Sequence, residues 1–297
     1  DIYIGSSNWT NVQSQHQKPF DGSMYDIRVF NYALSGEEIV DLYNGTPQKD
    51  KLVLHLEFNN NLIDSSGNNY NGTFEGSGEP TYVENYNLEP NKAFQFSGSD
   101  NKIIVNSEIG QYLNNKSFTI SLWINPNNDN SDWLMGYGIS SANKGLHITR
   151  SPSSTGAGSL LFGFWSNDLY SANGINITPK DTWTLTTFTY NSDNNYRSIY
   201  VNGVLNCSDV ASSDFDSQGK YDLYIGSDWG GNDNFDGQIS DVRIYNYALT
   251  EAEIAELYEP PITTTTTTTE APTKTIPPSI TMSPTTTMPP TTTMPPT

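Results

Sequence analysis

The chain has 297 residues, with 14 Lys+Arg against 33 Asp+Glu, a formal net charge of -19 and a single cysteine. Such an acidic balance argues against a nucleic-acid partner, whose phosphates are bound by clustered Lys and Arg, and disfavours an anionic membrane surface. Cys207 alone cannot build a disulfide framework or a cysteine-based zinc cluster, and no apolar run reaches the roughly twenty residues of a membrane span.

The first element is half of a repeat. "FDGSMYDIRVFNYALSGEEIVDLY" at 20–43 returns as "FDGQISDVRIYNYALTEAEIAELY" at 235–258, and "DIYIGS" at 1–6 returns as "DLYIGS" at 222–227. Sequence sufficient to complete a domain precedes only the second copy. Residues 1–45 are therefore read as the C-terminal part of a truncated preceding domain, and 51–259 as one complete domain of the same kind, in a tandem array. The opening residues read as mid-strand and carry no initiator Met. The expected chain is a piece of a longer one, and its lack of a signal peptide says nothing about secretion.

Strands follow. "KLVLHLEF" places Leu52, Leu54, Leu56 and Phe58 on one face, and "SFTISLWIN" does the same with Phe118, Ile120, Leu122 and Ile124. "WTLTTFTY" is rich in β-formers, with Trp123 and Trp183 assigned to the core. "SIYVNGVLN" predicts a hairpin around Asn202-Gly203, a pair that accepts positive φ. Cys207 is read as a small residue filling a strand end. Clusters of Gly, Asn, Asp and Ser separate the runs, the pattern of an all-β antiparallel sandwich. One short C-terminal helix is predicted: Thr250-x-x-Glu253, like Ser35-x-x-Glu38 in the first copy, is a capping box. Residues 260–297 are Thr/Pro-rich and are expected to be a disordered linker or, outside a cell, an O-glycosylated stalk.

"LVLHLEFNNNLIDSSGNNYNGTF", "AFQFSGSDNKIIV", "SFTISLWINP", "WTLTTFTY…SIYVNG" and "LYIGS…FDGQISDVRIYNYALTEAEIAELY" occur in this order across 51–258. Together they resemble the laminin-G-like jelly-roll family of the concanavalin A-like lectin/glucanase superfamily. The resemblance implies two curved antiparallel sheets. It implies little about ligand, because the superfamily includes lectins, adhesion modules, accessory domains of hydrolases, and enzymes.

The β-glucan-cutting enzymes of that superfamily carry an E-x-D-x-x-E strand whose alternation points carboxylates into one cleft. No such pattern occurs here, and Glu251 and Glu253 suit the start of a helix. His16, His55 and His147 are scattered. The expectation is therefore a domain that is not an enzyme. A calcium site is expected from the oxygen-rich stretch 59–72 and the last strand. By resemblance, Asp64 and Asp241 are the side-chain ligands, with Asn59 or Asn61 nearby; the alternative is that Asp241 pairs with Arg243 or caps a turn.

Sugars stack their C–H faces on exposed rings beside polar loops, so the candidate ligand-binding residues are Trp133 and Tyr137, Trp165 and Tyr170, and Trp229. Ordinary sandwich packing is the alternative for each ring. Trp229 is the leading candidate because Gly230 and Gly231 follow it. N-x-S/T sequons stand at Asn8, Asn44, Asn71, Asn115, Asn176 and Asn206. The reading is an extracellular, non-catalytic recognition module for a glycan or glycoprotein, stabilised by calcium, with no nucleic-acid partner and no membrane insertion. The alternatives are a structural or adhesion spacer making protein contacts, and an accessory domain of a larger secreted hydrolase.

Overall fold

The computed structural model describes residues 52–151, 156–171 and 175–261, together with Phe20, Gly22, Ser23, Met24, Ile27, Ile39 and Tyr43. The rest of the opening repeat, including Asp26, Ser35 and Glu38, lies outside the described residues, as do His16, the sequons at Asn8 and Asn44, and residues 262–297.

The strands in chain order are β1 (Leu52–Leu56), β2 (Gly72–Glu75), β3 (Tyr82–Val83), β4 (Ala93–Ser97), β5 (Lys102–Val105), β6 (Phe118–Pro126), β7 (Asp132–Gly138), β8 (Gly145–Arg150), β9 (Leu160–Gly163), β10 (Asp168–Tyr170), β11 (Thr184–Asn191), β12 (Tyr196–Val201), β13 (Val204–Val210), β14 (Leu223–Ile225) and β15 (Asp236–Tyr245). They form two sheets. The first runs β13-β12-β11-β6-β15-β4-β3, with β1 also pairing β15, and the second runs β10-β9-β8-β7-β14-β5-β2. Every pairing is antiparallel.

Alternation explains the core. Phe118, Ile120, Leu122 and Ile124 of β6 lie beside Phe188, Ile239 and Ile244 on the inner face of the first sheet, Phe118 meeting Phe162 of the second, and all are fully buried. Each such side chain contributes about 1.5–3 kcal/mol relative to exposure. The predicted hairpin forms, with φ of 50° at Asn202 and 77° at Gly203. Cys207 lies within β13 rather than at a strand end, and burial first, then the Asp209 charge, pushes its thiol up to about 11, the Arg197 charge only partly opposing them.

Alternation also places Trp123 on the outer face of the first sheet, which corrects its assignment to the inter-sheet core. It is buried there between Tyr86, stacked at 3.9 Å, and Tyr258, stacked at 5.7 Å. Trp183 precedes β11 and meets Tyr86 edge-on at 6.4 Å. The helix α1 (Glu251–Glu256) lies over the same face. Its capping box is complete: Glu253 N donates to the Thr250 hydroxyl, and Thr250 N donates to the Glu253 carboxylate. Ile254 anchors the helix against Tyr200 and Leu249.

Candidate functional site

The outer face of the second sheet gathers aromatic residues from separate elements. Trp133 comes from β7, His147 from β8, Trp165 from the turn between β9 and β10, and Trp229 from the loop between β14 and β15. Ring centroids lie 4.9 Å apart for Trp133 and Trp229, and 5.3 Å apart for Trp165 and Trp229. His147 sits among them, 5.5 Å from Trp133, 5.7 Å from Trp165 and 6.1 Å from Trp229. The contacts are tilted or edge-to-face, the arrangement that the ring quadrupoles favour. Indoles this close leave no slot between them, so the cluster is a packed block whose outer ring faces are what a ligand could meet. All three indoles are half-buried.

Glycines make the block possible. Gly136, His147, Gly163 and Asp168 form one row across β7, β8, β9 and β10. A Cβ at Gly163 would collide with both His147 Nε2 and Asp168 Oδ1, so only glycine lets those side chains meet across the intervening strand. A Cβ at Gly136 would lie 2.9 Å from Trp229 N, and one at Gly145 would lie 2.8 Å from the Trp229 ring. Trp229 is therefore seated on the sheet rather than carried on an open loop. The Asp228 carboxylate accepts from Asn232 N at 2.7 Å and tightens that loop.

His147 is buried, and both ring nitrogens face oxygen: Nδ1 lies 3.1 Å from Gly145 O and Nε2 lies 3.1 Å from Asp168 Oδ1. Asp168 Oδ1 has no in-line donor, so that contact is close without being a well-aligned hydrogen bond. Burial pushes the Asp168 carboxyl up, but contact with His147 and the charges of His147 and Arg197 outweigh it and hold the group below its ordinary value. Tyr170 lies in the adjacent row of the same face, paired with Leu161, with its hydroxyl 3.4 Å from Asp168 Oδ2.

Trp165 and Ser166 both have left-handed backbones, with φ of 55° and 59°. For non-glycine residues that costs roughly 1–2 kcal/mol each.

Of the five aromatic candidates, Trp133, Trp165, Tyr170 and Trp229 share this face and Tyr137 does not. Tyr137 is fully buried in the core, where its hydroxyl accepts from Asn114 Nδ2 at 3.0 Å. The reason is a bulge between Trp133 and Met135 that turns both Leu134 and Met135 inward and shifts the alternation by one residue. His147 and Asp168 were missed as site residues. The available signal was the recurrence of glycine inside strands, at Gly136, Gly145 and Gly163, which marks a close approach over the sheet.

The residues expected to hold calcium lie elsewhere, around β1. Asp64 Oδ1 accepts from His55 N and Ser66 N, and Oδ2 from Ser66 Oγ and Tyr70 N, each at 2.9 Å. Asp241 sits at a bulge in β15 with φ of 51°, where Oδ1 accepts from Arg243 Nε at 2.8 Å and lies 2.7 Å from His55 Nε2. Asn61 Nδ2 donates to Asn59 O and its Oδ1 accepts from Ile63 N. As arranged, these oxygens serve protein donors and do not fit a calcium cage. Among the described residues no three His, Cys, Asp or Glu side chains gather as a metal-holding set.

The fold and site define an antiparallel jelly roll with an aromatic outer face. Residues 97–255 match the Laminin_G_3 family model, described as the concanavalin A-like lectin/glucanases superfamily, and the chain belongs to that family. Among solved structures it is similar to domain 4 of AbnA, an extracellular GH43 arabinanase from Geobacillus stearothermophilus, in complex with arabinotriose. That likeness has a TM-score of 0.57 and 26% identity, and covers 70% of this chain and 98% of that one. The receptor-binding domain of a botulinum neurotoxin C/D mosaic serotype shares the fold at 22% identity and a TM-score of 0.51, over 71% of this chain; the match spans about half of the toxin domain, 51%. No match was found among curated proteins.

Proposed function

We propose that the domain is a non-catalytic extracellular recognition module that binds carbohydrate, free or on a glycoprotein, on the face formed by Trp229, Trp165, Trp133 and Tyr170. The observation that carries this reading is the block of three half-buried indoles set on a floor of glycines, with ring faces available to sugar C–H groups. The bound arabinotriose of the AbnA domain supports the ligand class. The non-catalytic part rests on the chemistry of the face: Asp168 lies against the His147 ring, 3.1 Å from Nε2, whereas glycoside hydrolysis calls for two carboxylates about 5–9.5 Å apart across the scissile bond. The test is a glycan panel with neutral and sialylated members, probed with the intact chain and with Trp229→Ala. Loss of the bound glycans in the variant supports the reading. The strong acidity of the chain further predicts that neutral glycans outrank sialylated ones at low salt. Binding of no glycan at all, with a protein partner recovered, would instead favour the spacer reading.

Calcium enters as an expectation under test. A cation would have to displace the hydrogen bonds on both oxygens of Asp64 and on Oδ1 of Asp241, so melting curves with excess calcium and with chelator are expected to coincide. A lower melting temperature on chelation would show that a cation takes these carboxylates.

A further inference from the structure

The two left-handed residues at Trp165 and Ser166 persist because their surroundings over-determine them. Phe164 N donates to Asn167 O at 2.9 Å and closes the turn, and Asn143 N, from the turn between β7 and β8, donates to Trp165 O at 3.1 Å. A third hold comes from the opposite sheet. Arg197 of β12 is buried, and its Nη1 donates to Asn167 O at 2.6 Å while Nη2 reaches Asn167 Oδ1 at 3.2 Å. The same guanidinium forks onto Asp209 at 2.7 and 2.9 Å and lies 5.3 Å from the ring centroid of Phe164. Asn167 in turn donates to Asn143 Oδ1 at 2.7 Å. Arg197 thus touches residues on both sides of the turn's apex.

We propose that Arg197, acting through Asn167, is a positioning residue for the aromatic face: it fixes the turn that presents Trp165 to Trp229 and His147. Only the Arg197 end of this pair is buried, the Asp209 carboxylate being partly exposed, and such a pair contributes little net stability. What the fork adds here is direction, because five donors in one plane hold Asp209 and Asn167 at the same time. The inference about Trp165 geometry stands on the distances alone, and only its consequence for affinity rests on the carbohydrate reading.

The test uses the full chain in three forms. Arg197→Met with Asp209→Leu removes both charges together, Asn167→Ala removes the side-chain half of the link while leaving the ion pair and the bond to the Asn167 backbone oxygen, and Arg197→Lys keeps the charge without the fork. The readout is the circular-dichroism couplet from neighbouring indoles, calibrated with Trp165→Ala, recorded beside melting and affinity for a neutral glycan found on the panel. We expect cooperative melting in all three. In the double variant the Trp165 share of the couplet should disappear and affinity should fall about tenfold, with Asn167→Ala and the lysine form in between. An unchanged couplet in Asn167→Ala and in the double variant overturns the proposal. Loss of the couplet in a chain that binds no glycan supports the positioning role and overturns the carbohydrate reading.

Discussion

At the residue scale the site depends on what is absent as much as on what is present. Gly163 has no Cβ, and that alone lets His147 and Asp168 meet over β9. A buried carboxylate behaves oppositely to the half-buried Asp168. Asp132 lies on the core side at the start of β7, opposite Arg150, and its Oδ2 has no partner. Burial pushes its carboxyl up to about 7; the Arg150 charge opposes the rise, and Asp236 adds to it. Because the folded value is raised, this group's favourable contribution is complete below the unfolded value near 4 and is lost as pH rises through 7. Asp132→Asn does not titrate, so it should match the wild type near pH 4 and be the more stable near pH 8, by up to roughly 4 kcal/mol. Urea melts at the two pH values check this, and an equal or lower stability of the variant at the higher pH would refute it. Nothing local in the sequence singles out Asp132, because only folding brings Asp236 near it.

At the scale of elements, local signals were legible. Thr250 and Glu253 form the capping box that their spacing promises, and Asn202-Gly203 turns as expected. Thr250→Ala should therefore cost about 1 kcal/mol in a denaturant titration; no measurable loss would mean that α1 is held by Ile254 packing alone. The outward placement of Asp241 and Arg243 beside inward Val242 and Ile244 was also readable. Two bulges were not. The bulge in β7 buries Tyr137, and the one in β15 aims Asp241 at His55. An inserted residue breaks a period-2 pattern only where the partner strand sets the register.

At the scale of the whole molecule, the repeat at 20–43 raises the question of what its apolar residues do. Phe20, Met24, Ile27 and Ile39 are exposed by 55%, 45%, 52% and 56%, while their counterparts Phe235, Ile239, Val242 and Ile254 are fully buried. If the opening segment belongs to another domain of a tandem array, removing residues 1–45 leaves the melting temperature of the remainder unchanged. A marked drop would place that segment in the core of the domain described here.

The sequence by itself determined the strand periodicity, the hairpin, the helix cap, the repeat and the family, since each is written in residues close together along the chain or in a recurring string. Only the tertiary structure decided which rings share a face, that glycines floor that face, that His147 pairs with Asp168, and that Asp64 and Asp241 serve hydrogen bonds. Those outcomes depend on which strands pair and in what register, and Trp133, Trp165 and Trp229 become neighbours only when β7 through β10 and the β14–β15 loop are folded together.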